Sequence, residues 1–247
     1  MAKMTLEGLV SQLSATYGDE LVGVALYGSA ARGEQATRLS DLNVLVVVQR
    51  ITMEHLRKEG AVARAWREAG NPPPLTMTRA EWLGSADIFP IEYADILAHH
   101  KVLAGTLPLA GVVVERADLR LQLEHEAMSK LLRLRHAVLE ASGDQKALLL
   151  LLEQSASAML VLLRATLRLA GTEPPNDSET VCDRFASQSG RDASSLKRIV
   201  RHNRGLETLS QRDASGLVEQ YLGFSEALVA YLDAYSQTVG SDGGYPA

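Results

Sequence analysis

Apolar and polar positions in the first part of the chain follow two different periods. Residues 5–17 carry apolar side chains at helical spacing and stop at Gly18, and residues 52–69 show the same spacing up to a second glycine. Residues 22–27 and 42–48 are instead almost uninterrupted apolar runs, rich in β-branched side chains. In chain order, these patterns predict a helix, two buried strands and a second helix.

Weaker patterns follow as far as the middle of the chain. After three consecutive prolines, residues 75–78 predict a short strand and residues 79–85 a short helix. Residues 88–96 predict a further strand, with Pro90 near its start, where the missing N–H group does least harm. Residues 111–115 predict a last edge strand.

From residue 118 onward the pattern is helical. Leu-rich segments with helical spacing are separated by short stretches that are polar or contain glycine. The predicted helices are residues 119–141, 144–170, 178–188, 192–203 and 214–235. Such spacing is typical of an antiparallel helical bundle. We therefore expect an α+β fold, with a mixed sheet and helices in residues 1–116, an all-α bundle in residues 117–238 and a disordered tail in residues 239–247.

The composition is that of a soluble globular protein. Of 247 residues, 46% are hydrophobic and 22% charged, and the net charge of −5 argues against non-specific binding of nucleic acid. The single cysteine, Cys182, fits a reducing compartment. The chain starts without an apolar leader, and its longest apolar run, residues 147–152, is too short to cross a bilayer. We expect a cytoplasmic protein that does not associate with membranes.

Residues that could bind a phosphate or a cation cluster at the ends of the two predicted buried strands. Gly28 and Ser29 directly follow the first strand, and a glycine–serine break there presents backbone N–H groups that suit a phosphate. The second strand opens with Ser-Asp-Leu-Asn, from Ser40 to Asn43. Asp41 and Asn43 lie two positions apart, so their side chains point to the same side of the sheet and can share one ion.

This order of residues resembles the signature of the polymerase-β-like nucleotidyltransferase superfamily, in which Gly-Ser and a short spacer precede Ser-Asp-x-Asp. The resemblance implies a site for a nucleoside triphosphate and Mg²⁺, with Gly28 and Ser29 at the phosphates and Asp41 as a catalytic metal ligand. It covers about residues 20–100. It departs at one position, since Asn43 stands where the family has its second Asp. An asparagine offers a neutral amide oxygen, which ligates a cation without adding charge.

The family takes a third acidic ligand from a later strand, and the resemblance places it on Glu92. In a regular strand Asp95, three residues later, points to the opposite face, so Asp95 is the alternative if the strand contains a bulge. Asp95 or Glu34 is also a candidate to compensate for the missing charge of Asn43.

Two further residues lie near the expected phosphates. Arg32 either reaches a phosphate oxygen or is exposed on a short helix, and both interpretations remain open. Ser40 either binds a phosphate or caps the strand that follows it.

The order of an α/β region and a helical region is similar to that of kanamycin-nucleotidyltransferase-like proteins, whose helical part supplies substrate contacts. The implied function is Mg²⁺-dependent transfer of a nucleoside monophosphate to a hydroxyl of a small molecule or a protein. The alternative is a catalytically impaired nucleotidyltransferase fold, with Asn43 in place of the second Asp, that acts as a nucleotide-binding or toxin–antitoxin-type interaction protein. The expected partners are a nucleoside triphosphate and an acceptor that the sequence does not identify. A homodimer is left open.

Overall fold

The computed structural model describes residues 3–33 and 41–239 of the chain. The chain divides into two compact units, Met1–Val114 and Glu115–Ala247. Within the described ranges, the first unit combines strands with helices and the second unit is helical.

The first unit is built on a mixed sheet that has four strands in the described residues. These are β1 (Leu21–Tyr27), β2 (Asn43–Val48), β3 (Leu75–Thr78) and β4 (His100–Gly105), in the spatial order β3-β2-β1-β4. β1 is antiparallel to β2 and β4, whereas β2 and β3 are parallel. The helices are α1 (Leu6–Tyr17), α2 (Met53–Glu68), α3 (Arg79–Gly84) and α4 (Pro90–Ala98). The predictions of α1, β1, β2, α2, β3 and α3 are confirmed to within one residue at each end.

The sheet is covered on both faces, which explains why β1 and β2 are apolar along their whole length. On one face, Val24 and Val46 belong to a buried cluster with side chains of α1 and α2. On the other face, Ala25 and Leu45 belong to a second cluster with side chains of α3 and α4. Strands that are buried on both faces give continuous apolar runs rather than alternating ones.

The segment at residues 88–96 is a helix, so the prediction of a strand there was wrong. α4 begins at Pro90, and proline is favoured at this position because the first N–H groups of a helix have no intrahelical partner. In an apolar segment this short, the spacing of apolar residues does not distinguish a strand from a helix. As a result Glu92 lies on a helix. Glu92 and Asp95, three residues apart, share one side of α4 instead of pointing to opposite faces of a strand.

The position of the last strand also differs from the prediction. β4 follows α4 directly and pairs with β1, whereas residues 111–115 form no strand. Val112 and Val114 nevertheless pack into the cluster beneath α3 and α4. The apolar pattern of this segment therefore reflects side-chain burial without pairing of its backbone.

The second unit is helical, as predicted. Its helices are α5 (Arg116–Ala141), α6 (Gln145–Leu169), α7 (Ser178–Ser189), α8 (Ser194–Asn203) and α9 (Gln211–Val239). The helices α5, α6 and α9 contact one another, and α8 contacts α6, α7 and α9. The α+β fold class is thus confirmed. The predicted tail lies outside the described residues from residue 240 onward, while α9 continues to Val239.

Helix α6 is apolar over much of its length. It has 25 residues and contains a window of mean hydropathy 1.6, so by length and composition alone it satisfies the requirements for crossing a membrane, which the sequence analysis did not expect. In the structure it lies within the bundle, where Leu152 and Leu163 are fully buried. Burial also extends to Arg164, which donates a hydrogen bond of 2.8 Å to the backbone carbonyl of Asn176. The bundle accounts for the apolar character of the buried side of α6.

Candidate functional site

The chain leaves β1 through a tight turn at Gly28. This residue has a φ of +77°, in the left-handed region that favours glycine, and its carbonyl oxygen accepts two backbone hydrogen bonds of 3.1 and 3.2 Å from the turn that follows. A Cβ atom at Gly28 would also lie 3.3 Å from the side-chain nitrogen of Asn43. The backbone N–H groups of Ser29 and Ala30 donate to no acceptor in the described part of the chain. Two adjacent donors are therefore present at the end of β1.

Asp41 and Asn43 lie beside this turn, at the start of β2. Asn43 is paired with Tyr27 across the antiparallel ladder, and its side-chain nitrogen donates a long hydrogen bond of 3.4 Å to Asp41 Oδ1. The Leu42 N–H group donates to Asn71 Oδ1 at 3.0 Å, which fixes the backbone just before the strand begins. The Asp41 carboxylate and the Asn43 amide are thus neighbours, as the spacing of the motif predicts.

Asp95 on α4 is held by Arg32 from the turn after Gly28. The Arg32 Nη1 atom donates to both carboxylate oxygens of Asp95, at 2.8 and 2.7 Å. The side chains of Arg32 and Asp95 are only 6% and 18% exposed. The structure therefore contradicts the interpretation of Arg32 as an exposed arginine. The ion pair joins the turn after β1 to helix α4.

Three carboxylates of this region act electrostatically on Tyr27, the last residue of β1. The pKa of its hydroxyl is raised from 10.0 to about 12, first by burial and then by the negative charges of Glu92, Asp41 and Asp95, in that order. Glu92 is exposed, whereas Asp41 is half-buried. The structure thus brings Asp41 and Glu92 into the same electrostatic environment at the end of β1, although Glu92 comes from a helix rather than from a strand.

Three residues of the site need separate mention. Ser40 and Glu34 lie outside the described residues. Tyr27 was predicted only as the last residue of a buried strand, although its place directly before Gly28 was a signal that its side chain lies at the site. Asn71 gave no such signal, because its bond to Leu42 spans 29 residues of sequence.

A surface groove of about 570 Å³ lies in the helical unit, between side chains of α5, α6 and α9. Its lining includes Val138, Leu148 and Leu222 together with Glu219 and Glu226. None of the predicted site residues contributes to it, so this groove is not the candidate site.

The fold is similar to that of a solved structure, the crystal structure of spectinomycin adenyltransferase AAD(9) from Enterococcus faecialis with ATP and spectinomycin. The similarity has a TM-score of 0.58 and covers 92% of this chain and 98% of the other, at 13% sequence identity. The chain has a nucleotidyltransferase fold. No family model matches the sequence, and no curated protein matches it either. The fold that the sequence motif implied is therefore confirmed by structural similarity.

Replacing Asp95 with Ala should lower the free energy of unfolding by about 2 kcal/mol, because it removes a carboxylate that accepts two hydrogen bonds from the largely buried Arg32 side chain. Glu54→Ala is the matched control, since it removes the carboxylate of an ion pair to Lys58 in which both side chains are more than half exposed. Urea denaturation of the two variants and the unaltered protein makes the comparison. Equal, small losses in both variants would contradict a structural role of the Arg32–Asp95 pair.

Replacing Glu92 with Gln should lower the pKa of Tyr27 towards its ordinary value, because Glu92 is the largest charge contribution to the shift. Since the native pKa is the higher one, the stabilisation linked to Tyr27 is complete below about pH 10 and is lost as the pH rises through about 12. The titration of Tyr27 is measured by tyrosinate absorbance, as the difference between each protein and the same protein with Tyr27→Phe. Glu54→Gln should leave the titration unchanged. An unchanged Tyr27 titration in Glu92→Gln would show that the charge of Glu92 does not act on Tyr27.

Proposed function

We propose that the protein is a metal-dependent nucleotidyltransferase that transfers a nucleoside monophosphate from a nucleoside triphosphate to a hydroxyl of a small-molecule or protein acceptor. The observation that carries the proposal is that the charges of Asp41, beside the Gly28 turn, and of Glu92, on α4, both act on Tyr27 at the end of β1. The similarity of fold to an adenyltransferase whose structure contains ATP and a small molecule supports it. That the helical unit contributes contacts to the acceptor stays a prediction.

The turn after β1 is suited to the phosphates of the nucleotide. The N–H groups of Ser29 and Ala30 are two adjacent donors, and donors of this kind bind phosphate oxygens. Gly28 leaves space beside Asn43 that a Cβ atom would reduce. These residues bind and orient the triphosphate without taking part in bond breaking.

The donor set at β2 and α4 fits a hard cation. Asp41 and Glu92 provide carboxylate oxygens and Asn43 an amide oxygen, and Mg²⁺ prefers oxygen ligands of this kind. Among the described residues no three His, Cys, Asp or Glu side chains are grouped as a metal site, and Asp95 is engaged by Arg32. The described residues would therefore fit one Mg²⁺ bound together with the nucleotide better than two ions bound by protein alone. When bound, the ion would neutralise charge on the phosphates.

The transfer itself requires a proton acceptor. The hydroxyl oxygen of the acceptor forms a bond to the α-phosphorus, the bond from that phosphorus to the bridging oxygen breaks, and pyrophosphate leaves. The hydroxyl proton must pass to a base. Glu92 is an exposed carboxylate in the first turn of α4, so it is accessible both to a cation and to an incoming hydroxyl. We assign a positioning role to Arg32, because it is paired with Asp95.

Asn43 favours a second candidate function, the binding of nucleotide without turnover. Its amide carries no charge, and its nitrogen is directed at the Asp41 carboxylate. With a neutral residue at this position, the site has one carboxylate fewer than the family pattern. It is therefore less able to offset the repulsion between two divalent ions. Nucleotide binding without release of pyrophosphate is the observation that would select this function.

The proposed function predicts opposite effects of two substitutions at β2. Asp41→Asn should reduce Mg²⁺-dependent release of pyrophosphate from ATP or GTP by ~100-fold or more, because it removes the principal carboxylate at the phosphates. Asn43→Asp should strengthen Mg²⁺ binding and raise turnover, because it adds a second carboxylate on the same side of the strand.

The measurements are thermal shifts with Mg²⁺ and nucleotide, and a pyrophosphate-release assay with hydroxyl-bearing acceptors. Asp19→Asn, an exposed aspartate before β1, is the control and should behave like the unaltered protein. If the unaltered protein shows a nucleotide-dependent shift but no pyrophosphate, the second function holds. If neither Asp41→Asn nor Asn43→Asp changes the response to Mg²⁺ and nucleotide, the site assignment is wrong.

A further inference from the structure

Helix α5 carries an exposed apolar stripe in addition to its buried face. The stripe consists of Leu121, Met128, Leu132 and Leu139, whose exposed fractions are 62%, 41%, 51% and 75%. Single exposed apolar residues are common on protein surfaces, but four that align on one helix are not explained by chance exposure.

The four residues lie along one line of the helix. With 100° of rotation per residue, the successive steps of seven, four and seven residues keep every member within about 20° of the line through Leu121. The stripe is about 27 Å long, since it spans 18 residues at 1.5 Å each. The side chains that α5 buries within the bundle are Leu119, Leu123, Ala127, Leu131 and Leu134, which lie on other sides of the helix.

The spacing of the stripe is symmetric about its centre. Steps of seven, four and seven read the same in both directions, with the midpoint at residue 130. We propose that this stripe is the contact surface of a homodimer in which the two α5 helices pack antiparallel about a two-fold axis at residue 130. In this arrangement Leu121 lies against the partner's Leu139, and Met128 against the partner's Leu132. A surface for an unrelated partner needs no such symmetry, whereas a two-fold contact must be complementary to itself.

The polar residues between the apolar ones agree with the same symmetry. His125 and Arg135 lie about 40° to either side of the line. The two-fold axis exchanges their positions, so that His125 faces the partner's Arg135. Arg135 is ion-paired with Glu226 of α9 at 2.7 Å, so its charge is already offset where it meets the partner. Glu124, beside the stripe, is ion-paired with Arg120 of the same helix at 2.5 Å and faces the partner's His136.

The extent of the stripe determines how tight the dimer is. A contact that is four side chains long buries less than the ~800 Å² per partner of standard stable complexes, so the dissociation constant is on the order of micromolar to tens of micromolar. None of the stripe residues is a candidate site residue, so the dimer can be tested separately from the proposed activity.

The first test is the mass of the protein in solution. Sedimentation velocity over roughly 1 to 200 µM should show a concentration-dependent dimer. Leu132→Lys should raise the dissociation constant by about tenfold or more. The two-fold axis repeats the contact between Leu132 and the partner's Met128, so the substitution removes it twice. Leu56→Lys is the matched control, since Leu56 is an exposed leucine on helix α2, at 47% exposure, and it should leave the dimer unchanged. A monomer at all concentrations, or equal weakening by both variants, would overturn the proposal.

The second test measures register and direction and does not rely on a weakened variant. A mixture of Leu121→Cys and Leu139→Cys proteins, treated with a short bismaleimide, should give a cross-linked dimer, because these positions face each other. Each protein alone should give none, since equivalent positions lie about 27 Å apart in an antiparallel pair. The native Cys182 is buried and common to all samples. Cross-linking of each single variant with itself, or none in the mixture, would contradict the antiparallel contact.

Discussion

The arrangement of the candidate site depends on the ion pair between Arg32 and Asp95. These residues lie 63 positions apart in the sequence, one in the turn after β1 and the other on α4, and both side chains are largely removed from solvent. A buried charge is costly unless it is paired, so an arrangement that moves α4 away from the turn would cost Arg32 its ion pair with Asp95. The pair therefore fixes α4 beside the end of β1. Because Glu92 lies on the same side of α4 as Asp95, fixing the helix also brings Glu92 to Tyr27.

The same pair sets the balance of charge at the site. Of the three carboxylates that raise the pKa of Tyr27, Asp95 is paired with Arg32, and the other two are Asp41 and Glu92. On the proposed function, Asp41 and Glu92 bind one divalent cation together with the nucleotide. Asn43 keeps the geometry of the motif, because its amide still contacts Asp41, but it does not supply the charge that an aspartate would. On the proposed function, the identity of this one side chain decides between turnover of the nucleotide and binding alone.

Much of the fold could be predicted from the sequence, because the signals were strong and local. The continuous β-branched runs of β1 and β2 are long enough to identify buried strands, and the helices of the second unit have clear helical spacing. The left-handed Gly28 agrees with the break that the sequence showed after β1. Predictions failed between residues 88 and 115, where a short apolar segment that begins with a proline fits a helix as well as a strand.

The features of the site that could not be predicted from the sequence are interactions between distant segments of the chain. Arg32 was interpreted from its neighbours as a phosphate ligand or an exposed side chain, and nothing nearby in the sequence pointed to Asp95. The relation between Glu92 and Asp95 was inferred from strand geometry, and it changed when the segment proved to be helical. The burial of a charged residue depends on what the fold packs over it, and this is not encoded in local spacing.

The central claim is that the Gly28 turn, Asp41 and Glu92 form a single site for a cation and a nucleotide. Iron-mediated cleavage tests it most directly, because Fe²⁺ bound in place of Mg²⁺ generates hydroxyl radicals that cut the backbone close to the ion. With ATP, Fe²⁺ and ascorbate, the account predicts cuts near Gly28, near Asp41 and near Glu92, and the loss of all three in Asp41→Asn. Cuts confined to one of these segments, or cuts that persist unchanged in Asp41→Asn, would contradict it.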